Sequence, residues 1–339
     1  MYESFYGFSE LPFELTANPK YLFLGGRQRE ALSILQYGLF AAKSITVLIG
    51  EAGTGKTTLI RAALESERCS HVRCVYMNNP ALDRDEFVRL LALKFNLSPE
   101  AGESKAVLLE QLERLLRERR DHGETTALVI DEAQSLSVGL LEEIRLLANI
   151  ETPSAKLLPL VLAGQPELAD RLEDHGLRQL RQRVTLRCEL EPFDVKETAG
   201  YIARRISTAG GVPSRVFTQE AVLLIHEYAR GIPRIISVIC DNALVSGMAL
   251  ERCPVDRAVV AEVCRDFHLT SMHQQLAPLS LPVMARASTE SPQEVPVEER
   301  SETAENEDLP AEGFSNRARF GAFGSPFRAA RRMITHEPN

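Results

Sequence analysis

The sequence predicts an α/β fold in which helices flank a parallel β-sheet, because short apolar runs recur between amphipathic helical patterns. The clearest run, at 45–49, is apolar or β-branched throughout, which is typical of a parallel strand covered on both faces. Further runs of this kind lie at 72–76, 127–130, 157–164 and 184–188. After Pro192 the periodicity is purely helical, so a second, helical region is expected to follow the sheet.

The stretch at 44–58, SITVLIGEAGTGKTT, carries the strongest functional motif. It places G-x-x-x-x-G-K-[ST] between a strand and a helical pattern, which is the context that a phosphate-binding loop requires. The glycines let backbone N–H groups point at phosphate oxygens, and the helix N-terminus adds favourable partial charge. Lys56 can reach the β- and γ-phosphates of ATP, and the Thr57 hydroxyl can bind Mg²⁺. The predicted nucleotide-binding residues of the loop are Gly50, Glu51, Ala52, Gly53, Thr54, Gly55, Lys56, Thr57 and Thr58.

Two acidic residues follow the apolar run at 127–130. Asp131 is predicted to bind the nucleotide's Mg²⁺, and Glu132 to orient and polarise the attacking water. An apolar run followed by two acids is common, but its position downstream of a phosphate loop favours this role. The run at 157–164 is followed by Gln165, whose polar side chain could contact the γ-phosphate or the water.

Arginines mark two further positions. Arg178, Arg181 and Arg183 precede the run at 184–188; they form either a solvated basic rim or an arginine finger offered to the nucleotide of a neighbouring subunit. Further along, Gly-Ile-Pro-Arg at 231–234 puts proline in the first turn of a helix, where its missing N–H costs nothing. Arg234 is then expected to project from that helix start.

Residues 1–43 are predicted to form an N-terminal segment that packs on the nucleotide-binding core. The segment begins with aromatic residues, among them Phe5, Tyr6, Phe8 and Phe13. Two compatible interpretations remain open: the segment folds back over the adenine, or its aromatic side chains cap the core.

Helical patterns fill most of the remaining sequence. Two D-x-x-E capping boxes, Asp83 with Glu86 and Asp194 with Glu197, predict helix starts. The predicted helices lie at about 28–42, 83–95, 103–120, 140–150, 218–229, 233–250 and 256–267.

Composition restricts the class of protein. A formal net charge of −8 and a pI near 5.6 argue against a protein that coats DNA broadly. The six cysteines form no C-x-x-C pair, which favours reduced thiols over a disulfide framework or a zinc site. No run approaches the ~18 apolar residues that a membrane helix needs, and the N-terminus lacks the basic region of a signal peptide. A cytoplasmic protein is therefore expected, either free or peripheral to the inner membrane.

The stretch at 269–339 is predicted to be a disordered tail. Residues 287–312 carry many acids and few large apolar side chains, so they cannot bury enough surface to fold. The stretch at 314–333 then interleaves arginine with phenylalanine. It is either a docking peptide for an acidic partner, an anionic membrane or the ATPase itself, or an end without a role.

Together these motifs resemble the AAA+ ATPases. The resemblance implies a Walker A motif at 50–57 and a Walker B motif at Asp131 and Glu132. It implies a sensor 1 residue at Gln165 and a sensor 2 residue at Arg234. The finger would be Arg183, with Arg181 as the second choice. The family's architecture implies an α/β nucleotide-binding domain at 44–190, a helical lid at 191–268 and a homo-oligomer that hydrolyses ATP with Mg²⁺.

A narrower resemblance is to the general secretion pathway protein A (ExeA-type) ATPases. It is carried by the N-terminal 39 residues and by IDEAQ, LAGQPEL and GIPR. Gln28 stands where that family usually has histidine, and the transmembrane and peptidoglycan-binding parts are not expected here. The resemblance implies a role in assembling or energising an envelope secretion, pilus or polysaccharide export system, with a protein partner from that system. The alternatives are a DNA-associated ATPase of the transposition-helper type and an ATP-dependent switch that recruits a partner; DNA binding is disfavoured by the acidic composition.

Overall fold

Five parallel strands form the centre of the computed structural model, which describes residues 1–78, 82–153 and 155–269. The strands are β1 (Ile45–Gly50), β2 (Val72–Met77), β3 (Thr125–Ile130), β4 (Leu160–Gly164) and β5 (Val184–Leu190). They lie in the order β2-β3-β4-β1-β5, and every pairing is parallel. Each apolar run that the sequence indicated is therefore a strand of this sheet, and the predicted α/β fold is confirmed.

Helices account for most of the remaining described chain. Those on the amino-terminal side are α1 (Glu3–Tyr6), α2 (Gly26–Phe40), α3 (Lys56–Leu64), α4 (Arg84–Lys94), α5 (Pro99–Glu103), α6 (Lys105–Asp121), α7 (Val138–Leu147), α8 (Pro166–Leu172) and α9 (Arg178–Arg181). After β5 come α10 (Val195–Thr208), α11 (Pro213–Val216), α12 (Gln219–Ala229), α13 (Pro233–Ala249) and α14 (Arg257–Asp266). Both predicted capping boxes are present, at the starts of α4 and α10.

The central strands β1, β3 and β4 are buried on both faces, which explains their lack of polar alternation. The edge strands β2 and β5 are partly exposed. Along β3, Leu128 and Ile130 face one apolar cluster that is completed mainly by α4 to α7. The alternate residues Ala127 and Val129 face a second cluster that contains side chains of α2 and α3. Successive side chains of a strand point to opposite faces, so β3 is covered by helices on both sides.

The register of the sheet brings the functional sequence motifs to one edge. Met77 pairs with Ile130, and Ile49 pairs with Gly164. Because all strands run the same way, the segments that follow β1, β3 and β4 leave the sheet at the same carboxyl edge. The phosphate loop, the acidic pair and Gln165 lie on these segments.

Helices α10 to α14 pack around a separate apolar cluster. We call these five helices the lid. The cluster contains residues of all five helices, among them Ile206 of α10, Ile225 of α12 and Ile239 of α13. It also takes in aromatic residues from the start of the chain, Tyr2, Tyr6, Phe8 and Phe13. The N-terminal segment thus supplies part of the lid's core.

This packing differs from the expectation that residues 1–43 lie as a whole on the nucleotide-binding core. Only the second part does so: Ala31, Leu35 and Leu39 of α2 pack against the sheet. The first part packs on the lid because its aromatic rings meet aromatic and aliphatic side chains there; the ring centroids of Phe13 and Phe217 are 6.4 Å apart. The segment therefore joins the two regions.

The predictions made for the tail fall on residues 270–339, which lie outside the described ranges. Among the helices that are described, none is both long enough and apolar enough to cross a membrane.

Replacing Phe13 with alanine tests the role of the N-terminal segment in the lid. Phe13 is 1% exposed, and removing a buried phenylalanine costs about 3–5 kcal/mol. We expect Phe13→Ala to lower the free energy of unfolding by that amount in chemical denaturation. Phe5→Ala is the matched control, because Phe5 is 40% exposed, and it should cost less than about 1 kcal/mol. Equal losses for the two variants would show that the segment does not stabilise the fold in this way.

Candidate nucleotide-binding site

The phosphate loop has the backbone shape that its glycines permit. Gly53 and Gly55 have φ angles of 83° and 96°, in the left-handed region that glycine tolerates and most residues avoid. A side chain at Gly53 would also lie 2.7 Å from Cβ of Arg234. Helix α3 begins at Lys56, so the loop delivers its N–H groups to the start of a helix, where an anion is stabilised.

Lys56 lies inside the loop. Its Nζ donates to the backbone carbonyls of Gly50, at 2.8 Å, and Glu51, at 3.1 Å. Burial lowers the pKa of Lys56, while the carboxylates of Glu132 and Asp131 oppose that shift. The ammonium is thus held in place by two carbonyl oxygens, and phosphate oxygens could replace them.

Thr57 and Asp131 meet directly. The Thr57 hydroxyl donates to Oδ2 of Asp131 at 2.6 Å, and the hydroxyl of Tyr76 donates to the same oxygen at 2.6 Å. The backbone N–H of Glu132 donates to Oδ1 at 3.0 Å. A hydroxyl and a carboxylate at this spacing, beside a phosphate loop, fit the way Mg²⁺ is held with a nucleotide, where phosphates and water complete its shell.

Glu132 stands next to this pair with a φ of 55°, an uncommon backbone angle for a residue with a side chain. Its Oε2 accepts from Nε2 of Gln134 at 2.6 Å and from Nε2 of Gln165 at 3.3 Å. Gln165 is the N-cap of α8, so the end of β4 supports the carboxylate that follows β3. The carboxylate could accept a proton from a water held at the γ-phosphate.

The lid closes the site from the other side. The backbone N–H of Arg234 donates to the carbonyl of Gly53 at 3.2 Å, which ties the start of α13 to the phosphate loop. A cleft of about 270 Å³ lies between them. Its walls include Gly53, Lys56, Thr57 and Glu132 from the sheet side, Arg205 and Arg234 from the lid, and the stretch at 14–17.

The stretch at 14–17 is held at both ends. Arg205 of the lid donates to the carbonyls of Pro12 and Glu14, while Arg61 of α3 donates to the carbonyl of Ala17 at 2.9 Å. The stretch spans the cleft and lines it; that the N-terminal segment folds back over the adenine stays a prediction.

The arginines before β5 lie away from the cleft of their own chain. Val184 pairs with Ile45, the first residue of β1, whereas the phosphate loop follows the last residue, about 16 Å along the strand. Arg183 directly precedes Val184, at this same end of the sheet. The pKa of the nearby Glu151 carboxyl is lowered mainly by its hydrogen bond with Lys156, with a smaller contribution from the charge of Arg183. Arg181 forms an ion pair with Glu173. The structure therefore brings the other candidate residues together and leaves these two apart.

Two residues of the site were missed in the sequence. Tyr76 is the penultimate residue of β2, and it reaches Asp131 because β2 and β3 are neighbours in the sheet. Gln134 lies in a turn immediately after the acidic pair. The rule that carboxyl ends of parallel strands share an edge would have drawn attention to Tyr76. Gln134 is the last residue of the IDEAQ segment that carries the family resemblance, but that segment alone did not assign it a role.

The family model of the AAA domain matches residues 41–172. General secretion pathway protein A from Aeromonas hydrophila is 39% identical over 249 residues, which are 74% of this chain and 45% of that protein. The chain thus spans about half the length of this relative.

Solved structures show the same fold. The Aeropyrum pernix ORC2 protein, in ADPNP-ADP complexes, has a TM-score of 0.58 and 17% identity, with coverage of 76% of this chain and 72% of that one. CDC6P from Pyrobaculum aerophilum has a TM-score of 0.57 and 18% identity, with coverage of 75% and 70%. At such identities the likeness establishes the fold alone. The chain is thus an AAA domain protein with the AAA+ fold, homologous to general secretion pathway protein A.

Proposed function

We propose that this chain is an ATPase that couples ATP binding and hydrolysis to the assembly or energising of an envelope secretion, pilus or polysaccharide export system. The observation that carries the proposal is the 39% identity with general secretion pathway protein A. An AAA domain implies nucleotide binding, and the site geometry supports ATP with Mg²⁺. The proposed location is the cytoplasm, with a protein partner of the export system at the inner membrane.

Each residue of the cleft has a role in the proposed reaction. Lys56 would exchange its two carbonyl contacts for the β- and γ-phosphates. Thr57 and Asp131 would hold Mg²⁺, which neutralises charge that develops on the phosphates. Glu132 would take a proton from the attacking water, and Gln165 would orient that water or the γ-phosphate. Arg234 would bring the lid's positive charge to the phosphates.

Hydrolysis would be completed by a second copy of the chain. Arg183 lies at the far edge of its own sheet, so the nucleotide that it can reach is that of a neighbouring subunit. Arg181 is the second choice, because its guanidinium is already paired with Glu173. The proposal therefore includes a homo-oligomer in which each site uses residues of two chains.

Substitutions of Lys56 and Glu132 separate binding from turnover. Lys56→Ala removes charge-assisted bonds worth about 1.5–3 kcal/mol, so ATP affinity should fall by more than about ten-fold. Glu132→Gln should retain affinity and lose about 10²–10⁴ in turnover, as expected for a general base. Equilibrium binding and phosphate release measure the two effects. Lys94→Ala, on the exposed end of α4, is the control, and wild-type turnover by Glu132→Gln would refute the role of Glu132.

The arginine finger can be tested by mixing defective chains. A finger supplied by a neighbour is worth about 10³–10⁵ in rate, so turnover per subunit should rise with protein concentration. Arg183→Ala and Lys56→Ala should each be inactive alone and regain activity when mixed, since each supplies what the other lacks. Arg187→Ala, at an exposed position of β5, is the control and should hydrolyse ATP as the wild type does, without being mixed with another variant. Constant specific activity of a protein shown to be monomeric would contradict the finger.

Tyr76 provides a test of the metal site. Its hydroxyl supports Asp131, and groups that orient a metal ligand are worth about 10- to 100-fold in metal affinity. Tyr76→Phe should therefore raise the Mg²⁺ concentration needed for tight ATP binding by that factor, without weakening metal-free ATP binding. Titration of ATP affinity with Mg²⁺ measures this, with Tyr37→Phe, on the surface of α2, as control. An unchanged Mg²⁺ dependence of ATP affinity would show that Tyr76 does not support the metal site.

The export role is tested in cells that lack the chain's gene. Expression of the wild-type protein should restore export of the protein, pilus or polysaccharide that these cells fail to export, and expression of Lys56→Ala should not. Normal export without the gene, together with DNA-stimulated turnover that falls steeply with salt, would replace the proposal with the DNA-associated alternative.

A further inference from the structure

Gln134 forms hydrogen bonds with both ends of its side-chain amide, next to Glu132 of the cleft wall. It lies in the 3₁₀ turn Ala133–Ser135, directly after the acidic pair. Its Nε2 donates to Oε2 of Glu132 at 2.6 Å, and its Oε1 accepts from the backbone N–H of Gln165 at 3.1 Å. A single side chain therefore connects the carboxylate after β3 to the start of α8 after β4.

The orientation of this amide follows from its partners. A backbone N–H can only donate, so the amide oxygen has to face Gln165. The NH₂ group is then directed at Glu132, where a carboxylate accepts it. These two hydrogen bonds determine which atom of the amide is Oε1 and which is Nε2, because that assignment rests on the hydrogen-bond partners.

The backbone of Gln134 is held as well. Arg171, in the last turn of α8, donates to the Gln134 carbonyl. Space around the amide is limited, since a side chain at Gly164 would lie 3.0 Å from Gln134 Oε1. Both ends of α8 thus fix the turn that carries Gln134, and the amide has little freedom to leave Glu132.

We propose that Gln134 is a positioning residue that aims the carboxylate of Glu132 at the attacking water; this rests on the proposed ATP hydrolysis. The bonds from Gln134 and Gln165 both fall on Oε2 of Glu132. Glu132 lines the cleft, and in this proposal its other oxygen, Oε1, takes the proton of the water. The left-handed backbone conformation of Glu132 sets the direction in which its side chain leaves the backbone. The hydrogen bond from Gln134 then fixes the side-chain torsions of Glu132.

Two substitutions of similar length separate positioning from general support. Gln134→Met removes both hydrogen bonds. Gln134→Glu keeps an oxygen for the Gln165 N–H but sets a second carboxylate against Glu132. An error of about 1 Å in the placement of a reacting group costs up to about 10²-fold in rate. We expect single-turnover hydrolysis to fall about 10- to 100-fold in Gln134→Met and further in Gln134→Glu, with MgATP affinity within about two-fold of wild type.

The loss in rate without loss in affinity is the result that a purely structural role would not produce. Gln219→Met, at an exposed position of α12, is the control and should hydrolyse ATP as the wild type does. Wild-type hydrolysis by Gln134→Met, or a loss of MgATP affinity as large as the loss in rate, would overturn the assignment while leaving the proposed function in place. A wild-type chain that binds MgATP but never hydrolyses it would overturn both.

Discussion

The hydrogen bond between Thr57 and Asp131 is the constraint on which the candidate site depends. The two residues follow β1 and β3, which are not neighbours, because β4 lies between them. The bond therefore joins segments on either side of β4. Space at the end of β4 is limited: a side chain at Gly164 would lie 2.7 Å from Leu168 and 3.0 Å from Gln134. The next residue, Gln165, reaches Glu132.

A buried arginine links the lid to the start of the chain. Arg205 is 7% exposed, and burial of a charge is costly unless hydrogen bonds and nearby groups offset it. Its guanidinium donates to the carbonyls of Pro12 and Glu14 and lies over the rings of Tyr21, at 4.8 Å, and Tyr201, at 5.4 Å. These contacts satisfy the cation and place its helix at the wall of the cleft. The lid thus carries a fixed positive charge close to the phosphate loop.

The sequence predicted the parts of the structure that local patterns determine. The strands, the two capping boxes and the phosphate loop each follow from a few consecutive residues, such as Asp83 with Glu86. What it missed depends on contacts between distant segments: Tyr76 with Asp131, and Arg205 with Pro12, which are 55 and 193 residues apart. The N-terminal segment was misjudged for the same reason, since aromatic residues indicate burial but not which apolar surface receives them.

Because the first residues of the chain belong to the lid's core, the limits of a fragment decide whether that fragment can fold. The stretch that matches the AAA domain, 41–172, stops before β5 and begins after α2, so a fragment with those limits would expose one edge of the sheet and one of its faces. The lid alone would lose the aromatic residues at Tyr2, Tyr6, Phe8 and Phe13. The limits of the AAA domain match therefore differ from the limits of the folding units. A fragment intended to fold would have to keep both the first residues of the chain and α14.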